Sequence, residues 1–348
     1  MQRCIALAEL GRGQVAPNPM VGAVLVHHDR IIGEGYHQQF GLAHAEVNCI
    51  NSVTAEDLAL ISSSTLYVSL EPCSHTGKTP PCADLIIARQ IPRVMIGCRD
   101  RFEVVNGKGI ARLRAAGVEV IEGVLEQEAF DLNIRFFSFH RLHRPYILLK
   151  WAQSSDEKIA GKEKDRIAIS NAYTNIKVHQ WRAQESAIMV GTQTAAIDDP
   201  ALTVRHWPGK DPVRIVIDRE GKLPASLQLF DHQVRTIVFG KKMAENSPML
   251  EYYPIKPGSD ALEQIMQMLY QLQIQSVMVE GGARLLQSFI DAGLWDEARV
   301  VTNTSLQLAE GLSAPILRNQ RLTDTQYLMN DVIHFYQPIS SSNPVKFE

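Results

Sequence analysis

The chain has 348 residues, of which 45% are hydrophobic and 21% charged, and its formal net charge is −3. That length predicts two domains with ordinary globular cores, and a near-neutral charge without a Lys/Arg block argues against a nucleic-acid surface. No apolar run approaches the roughly 20 residues of a membrane span, no basic-then-apolar export segment opens the chain, and five cysteines without framework spacing fit a reducing cytoplasm. In chain order, residues 1–8 have the apolar spacing of a helix. Residues 21–37 read as a hairpin that turns at His28-Asp29. A helix opens near His44, a strand covers 65–70, and a helix over 82–90 leads to a strand over 93–97. A helix over 109–116 and a strand over 118–122 complete the alternation, which predicts a three-layer α/β domain with a mostly parallel sheet. Residues 126–140 read as one helix with a basic end. Pro145 disfavours helix at Arg144, so the boundary is set there, giving domains 1–143 and 144–348. The second domain again alternates. Strands are expected over 146–151, 187–191, 213–218, 236–239, 276–280 and 297–302, with helices over 173–183, 261–271 and 283–292. A polar tail is expected near 340–343.

The chemistry in the first domain rests on His44, Glu46, Cys73 and Cys82. Imidazole nitrogen and thiolate sulfur are good zinc ligands, and three protein ligands leave a fourth tetrahedral position for water, as in catalytic sites. One zinc per chain is therefore expected on His44, Cys73 and Cys82, with Glu46 as the catalytic proton carrier. The pattern H-x-E…P-C-x-x-C marks zinc deaminases. The first half matches, whereas eight residues separate the two cysteines instead of two. The inserted segment is expected to lie over the metal, with His75 and Lys78 projecting toward whatever binds there, Lys78 as a point charge for phosphate. Read one at a time, these would be two small core cysteines and a surface histidine. Their conjunction favours the zinc site.

In the second domain a strand ends in Gly281-Gly282 before a helix, where backbone N–H groups can meet a phosphate. No G-x-G-x-x-G stands at a strand–helix junction, which disfavours a Rossmann domain. The segment from Gly191 to Arg205, with Asp198-Asp199-Pro200 at its centre, stands out, although adjacent acids before a proline also suit a solvated turn.

Residues 16–24 (APNPMVGAV), Gly35-Tyr36-His37, His44-Ala45-Glu46, and Leu70-Glu71-Pro72-Cys73-Ser74-His75 through Thr79-Pro80-Pro81-Cys82 resemble the deaminase half of a family of bifunctional riboflavin-biosynthesis deaminase–reductases. The resemblance runs through nearly the whole chain. It implies a cytidine-deaminase-like N-terminal domain and a dihydrofolate-reductase-like C-terminal domain that uses NADPH. It also implies hydrolytic deamination of a phosphorylated diaminopyrimidinone, followed by reduction of its ribosyl group to ribityl. Asn18 and His37 match positions that place the pyrimidine and ribose, with His75 and Lys78 near the phosphate arm. Ala152, Ala168, Thr194, Asp198 and Gly282 match cofactor positions, Gly282 opening the pyrophosphate loop over 282–288. Lys150, Arg166, Arg182, Leu202, Arg205 and Glu280 match substrate positions, with Arg182 and Arg205 on the phosphate. His179 and Trp181 read as packing residues, and Asp198 as a loop residue.

Two departures stand out. Relatives often carry Asp-Gly where this chain has Asp156-Glu157, and Ser-x-Trp where it has Arg166-Ile167-Ala168. In the family the first helix usually begins several residues earlier than here. A soluble cytoplasmic homo-oligomer acting on a small phosphorylated pyrimidine, without nucleic acid or membrane partners, is the expectation. Two other readings stand beside it. A nucleobase or nucleic-acid deaminase with an inert second domain is opposed by the near-neutral charge and the Asp198 segment. A non-catalytic binding protein is opposed in the first domain by the intact His44, Glu46, Cys73 and Cys82 set, and is left open in the second by Glu157, Arg166 and Ala168.

Overall fold

The computed structural model describes residues 1–74, 80–100, 106–162, 167–241, 244–256 and 260–339. His75, Lys78, Arg166 and the expected polar tail lie outside the described residues. The chain divides into two compact units, Met1–Arg141 and Leu142–Glu348, just ahead of the break expected at Pro145.

The first unit runs α1 (Gln2–Glu9), β1 (Gly22–His27), β2 (Arg30–Tyr36), α2 (Ala45–Asn51), a 3-10 segment (Ala55–Ser63), β3 (Thr65–Leu70), α3 (Cys82–Ala88), β4 (Arg93–Cys98), α4 (Lys108–Ala115), β5 (Glu119–Ile121), α5 (Glu126–Leu132) and α6 (Ile134–Leu142). Its sheet has the order β2-β1-β3-β4-β5. The hairpin strand β1 is antiparallel to β2 and β3, and β3, β4 and β5 are parallel. The central strands β3 and β4 are largely apolar because helices cover both faces: Leu66, Val68, Val94 and Ile96 are fully buried among Ile50, Ile86, Ile110 and Leu113. The single helix expected over 126–140 is two helices. Asn133 stands between them at φ −107°, ψ 19°, and its side chain is committed elsewhere. Its Oδ1 accepts the Met20 N–H and its Nδ2 donates to the Met20 carbonyl, both at 2.8 Å. Hydrophobic periodicity carries straight through such a break, so only the long-range contact reveals it.

The second unit runs β6 (Tyr146–Ser154), β7 (Lys158–Gly161), α7 (Ala172–Gln184), β8 (Ala187–Gly191), α8 (Thr192–Asp198), β9 (Val213–Asp218), a short 3-10 turn (Gln228–Phe230), β10 (Thr236–Gly240), β11 (Leu250–Pro254), α9 (Ala261–Gln271), β12 (Ser276–Val279), α10 (Ala283–Asp291), β13 (Glu297–Asn303), β14 (Gly311–Ser313), β15 (Gln320–Leu328) and β16 (Asp331–Pro338). Nine strands form one sheet in the order β11-β10-β9-β8-β12-β6-β13-β16-β15. It is parallel from β11 to β13 and closes with the antiparallel β15–β16 hairpin, while β7 and β14 pair separately. Alternate residues feed alternate faces. Ile147, Leu149, Ile215, Val277 and Val279 join Phe289 in one core, and Leu148, Val178, Trp181, Val216 and Met278 form the other. The sequence reading misses β7, β11 and β14–β16, whose residues are mostly half-buried or exposed and lack a continuous apolar run. Asp198, expected on a loop, ends the short helix α8 that follows β8 directly. Among the described residues no helix is long and apolar enough to cross a membrane.

Candidate active sites

In the first unit three elements converge on one point. His44 is the residue that caps the start of α2. Cys73 follows the C-terminal end of β3, and Cys82 opens α3. His44 Nδ1 lies 3.6 Å from Cys73 Sγ and 3.4 Å from Cys82 Sγ. The three ligand atoms lie within 4.8 Å of one another. Tetrahedral zinc with Zn–N of about 2.0 Å and Zn–S of about 2.3 Å requires N···S separations of about 3.6 Å, and both separations from His44 match it. The electrostatics agree with a cation site. The Cys73 thiol is pushed down, first by its hydrogen bond with Cys82 and then by His44, while Cys82 is pushed up by its hydrogen bond with Cys73, as expected when two thiols share one negative charge. Cys73 Sγ also accepts the Cys82 N–H at 3.3 Å.

Glu46, in the first turn of α2, is 3% exposed. Burial, and then the charge on Cys73, raise its carboxyl pKa. It meets the Cys82 thiol yet lies outside the three-ligand cluster, which leaves it available to carry a proton. Asn18 and His37 are brought together beside these residues. His37 Nδ1–H donates to the Ala43 carbonyl at 3.0 Å, and His37 Nε2 then accepts from Asn18 Nδ2 at 3.1 Å. The His37 and His44 rings meet edge to face at 5.5 Å. Burial lowers the His37 pKa, in keeping with a neutral ring and this tautomer.

Two supporting residues escape a reading of the sequence. Asn133 clamps Met20, two positions after Asn18. Glu71, read only as part of the motif around Cys73, receives the backbone N–H groups of Gly107 (3.0 Å), Gly109 (2.9 Å), Ile110 (3.3 Å) and Asp100 (3.3 Å). It thereby ties the strand end that delivers Cys73 to the N-terminus of α4, where a carboxylate is favoured. Gly109 is required by close approach, because a Cβ there would sit 2.0 Å from the Pro72 carbonyl oxygen. Their partners are remote in sequence, and no spacing signals them.

In the second unit a cavity of about 1100 Å³ opens at the C-terminal ends of β6, β8, β9 and β12, where parallel sheets place ligands. Lys150, Ala152, Ala168, Arg182, Thr194, Asp198, Glu280 and Gly282 all line it. Gly282 has φ 78°, a left-handed value that favours glycine, immediately before α10. The N-terminal turn of α10 borders the same cavity and suits a phosphate. Arg182 forms a bidentate pair with Glu280 at 2.8 and 2.6 Å, and its Nη1 donates to the Thr203 carbonyl at 3.2 Å. Burial pushes the Glu280 carboxyl up, but the Arg182 charge, its hydrogen bonds and Lys150 outweigh this and hold it at about 2. Burial lowers the Lys150 pKa, and Arg182 adds to the effect against Glu280. Leu202 and Arg205 are absent from the cavity lining. Leu202 is buried in the core at φ 52°, and Arg205 is exposed, with its guanidinium on Thr203 Oγ1 at 2.9 Å. Trp181 packs in the core, as expected. His179 does more than pack, because its Nδ1 accepts the Arg205 N–H at 3.1 Å. At the Asp156-Glu157 departure, Glu157 adopts φ 58°, the conformation that a glycine holds most easily. Asp156 meanwhile receives the N–H groups of Leu308 (3.1 Å) and Ala309 (2.8 Å).

Comparison with known proteins places both units. Residues 1–98 match the cytidine and deoxycytidylate deaminase zinc-binding region, and residues 145–306 match the RibD C-terminal domain. The chain is 40% identical over 319 residues to the riboflavin biosynthesis protein RibD of Aquifex aeolicus, covering 90% of this chain and 88% of that protein. It is 36% identical over 316 residues to RibD of Escherichia coli, covering 85% and 84%. The solved structure of a diaminohydroxyphosphoribosylaminopyrimidine deaminase/5-amino-6-(5-phosphoribosylamino)uracil reductase from Thermotoga maritima is similar over 97% of both chains, with a TM-score of 0.89 and 38% identity. Acinetobacter baumannii RibD is similar over 97% of both chains, with a TM-score of 0.86 and 32% identity. Such similarity extends through the zinc-binding deaminase region and the reductase domain alike, and the chain belongs to the RibD family of bifunctional deaminase–reductases of riboflavin biosynthesis.

Proposed function

We propose that residues 1–143 hydrolyse the ring amino group of a 2,5-diamino-6-ribosylamino-pyrimidinone 5′-phosphate, and that residues 144–348 reduce the ribosyl side chain of the product to ribityl with NADPH. The observation that carries this reading is the presence of two separate constellations in one chain: the His44–Cys73–Cys82 cluster with buried Glu46, and the large cavity bounded by Lys150, Arg182 and Glu280. When bound by His44, Cys73 and Cys82, zinc supplies an activated water at neutral pH. Glu46, buried beside the ligands, would carry two protons in turn, the first from the water to the ring nitrogen and the second from the newly added hydroxyl to the leaving amine. Asn18 and His37 orient the pyrimidine and its ribose, and the sequence adds His75 and Lys78 for the phosphate arm.

In the second unit the cavity volume exceeds the roughly 300–1,000 Å³ usual for one ligand, which supports joint occupation by dinucleotide and substrate. NADPH supplies the hydride, and the protein orients it. Ala152, Ala168, Thr194, Asp198 and Gly282 would face the cofactor, with the α10 N-terminus on its pyrophosphate. Lys150, Arg182 and Glu280 would hold the phosphorylated substrate from the cavity wall, with exposed Arg205 reaching its phosphate from the adjoining loop and Arg166 added by the sequence, while buried Leu202 anchors that loop in the core. The free cysteines support a cytoplasmic setting, and the exposed Leu322, Tyr327 and Met329 of the β15–β16 hairpin support association of copies. The decisive experiment changes Cys73 or Cys82 to Ser. Most zinc and most ammonia release are expected to disappear, because a neutral hydroxyl is a poor zinc ligand, while NADPH oxidation persists when the deaminated substrate is supplied directly. Purified protein with full deamination and no stoichiometric metal would overturn the reading.

A further inference from the structure

We propose that His179 is a positioning residue for the reductase, holding the 202–205 loop so that Arg205 is presented to the phosphate of the substrate. The proposal rests on the substrate reading given above for Arg205. Residues three apart lie on one face of a helix, and α7 turns both His179 and Arg182 toward this loop. His179 Nδ1 accepts the Arg205 N–H at 3.1 Å, and Arg182 Nη1 donates to the Thr203 carbonyl at 3.2 Å. Arg182 lines the cavity and is itself fixed by Glu280, so α7 holds the loop at two backbone atoms, two residues apart. The remaining contacts leave it little freedom: Leu202 is 3% exposed, and the Val204 N–H donates to Asp211 Oδ1 at 2.6 Å.

The bond to Arg205 requires an unprotonated Nδ1, and the surroundings enforce that state. The His179 ring is 1% exposed. It faces the cations of Arg182 and Arg205 and lies edge-on to His206 at 4.7 Å, with Glu280 as the opposing anion. Burial first, and then these cations, push its pKa down to about 4, so the ring stays an acceptor at neutral pH. A residue that only filled space would need no lone pair at Nδ1.

The test uses the full-length zinc-loaded chain, assayed with the phosphorylated aminouracil substrate and NADPH. Asparagine places its amide oxygen near the position of Nδ1, whereas glutamine reaches toward Nε2. His179→Gln is expected to raise KM for the phosphorylated substrate about tenfold, the size of one hydrogen bond. Its kcat and its KM for NADPH should stay within about threefold of the parent, and its ammonia release should match. His179→Asn is expected to restore the substrate KM to within about threefold. If His179→Gln has the parental KM, or if His179→Asn is as impaired as His179→Gln, the positioning role is overturned. His179→Leu makes the same comparison with Asn should the Gln variant not fold. Arg205→Gln tests the underlying reading separately. A parental KM in that variant sinks the phosphate role of Arg205, whereas a raised KM there with an unaffected His179→Gln sinks only the role of His179.

Discussion

Glu46 and His179 show how one side chain takes its task from its surroundings. Glu46 is buried next to three ligand atoms without being one of them, so metal binding and proton transfer are separable. Glu46→Gln keeps the shape and removes the titrating oxygen. Ammonia release should fall about a hundredfold or more, the range of a positioned acid–base group, with zinc content near the parent's. Loss of zinc in this variant would place Glu46 among the ligands. His179 predicts a pH effect on stability. Its folded-state pKa of about 4 lies below the roughly 6.5 of an unfolded histidine. Between those values the unfolded chain binds more protons, so stability is lost as pH falls from about 6.5 to about 4. His179→Asn removes that contribution, and denaturant midpoints followed across this window should fall less steeply than the parent's. Parallel curves would mean that folding does not lower the His179 pKa.

At the scale of the element, helix junctions and strand ends carry the sites. The α5–α6 break exists because Asn133 gives its amide to Met20 and fixes the loop that bears Asn18. Asn133→Ala leaves a buried N–H and a buried carbonyl without partners, a loss of about 2 kcal/mol or more. Chemical denaturation should register that loss, and the deaminase KM should rise while zinc content holds. An unchanged KM at reduced stability would confine Asn133 to folding. Glu71 works in a similar way, fastening the end of β3 to the start of α4 so that Cys73 meets His44 and Cys82. In the second unit, α7 and the start of α10 do the placing, one through His179 and Arg182, the other through its exposed N-terminal amides.

For the molecule as a whole, two units with separate cores imply two activities that fail separately. Asp198, at the end of α8, lines only the second unit's cavity, and the zinc ligands all precede it by more than a hundred residues. Asp198→Asn should weaken NADPH oxidation and leave ammonia release intact when both are followed on one sample. Loss of both in a folded protein would mean that the sites are coupled, and retention of both would remove Asp198 from the reductase site.

Much of this protein is legible in the chain. The strands over 65–70, 187–191 and 213–218 announce themselves as apolar runs because both of their faces are buried. The zinc cluster is legible because few residue types ligate zinc, and His-x-Glu with a later Pro-Cys and Cys is a pattern tied to that chemistry, although its members lie 29 and 38 residues apart. What remained hidden depends on partners distant in sequence. Periodicity cannot register the interruption at Asn133, whose reason lies 113 residues away at Met20. The largely exposed strand β15 has little apolar pattern to read, since it pairs with β16 through backbone atoms that every residue carries. His179 is apolar-face packing by its position on a helix, and it becomes a hydrogen-bond acceptor only where the chain folds the Arg205 amide against it. Composition and local pattern decide which segments form helices and strands. Which buried polar atoms meet is decided when those segments pack, because each such atom must find its partner inside the fold.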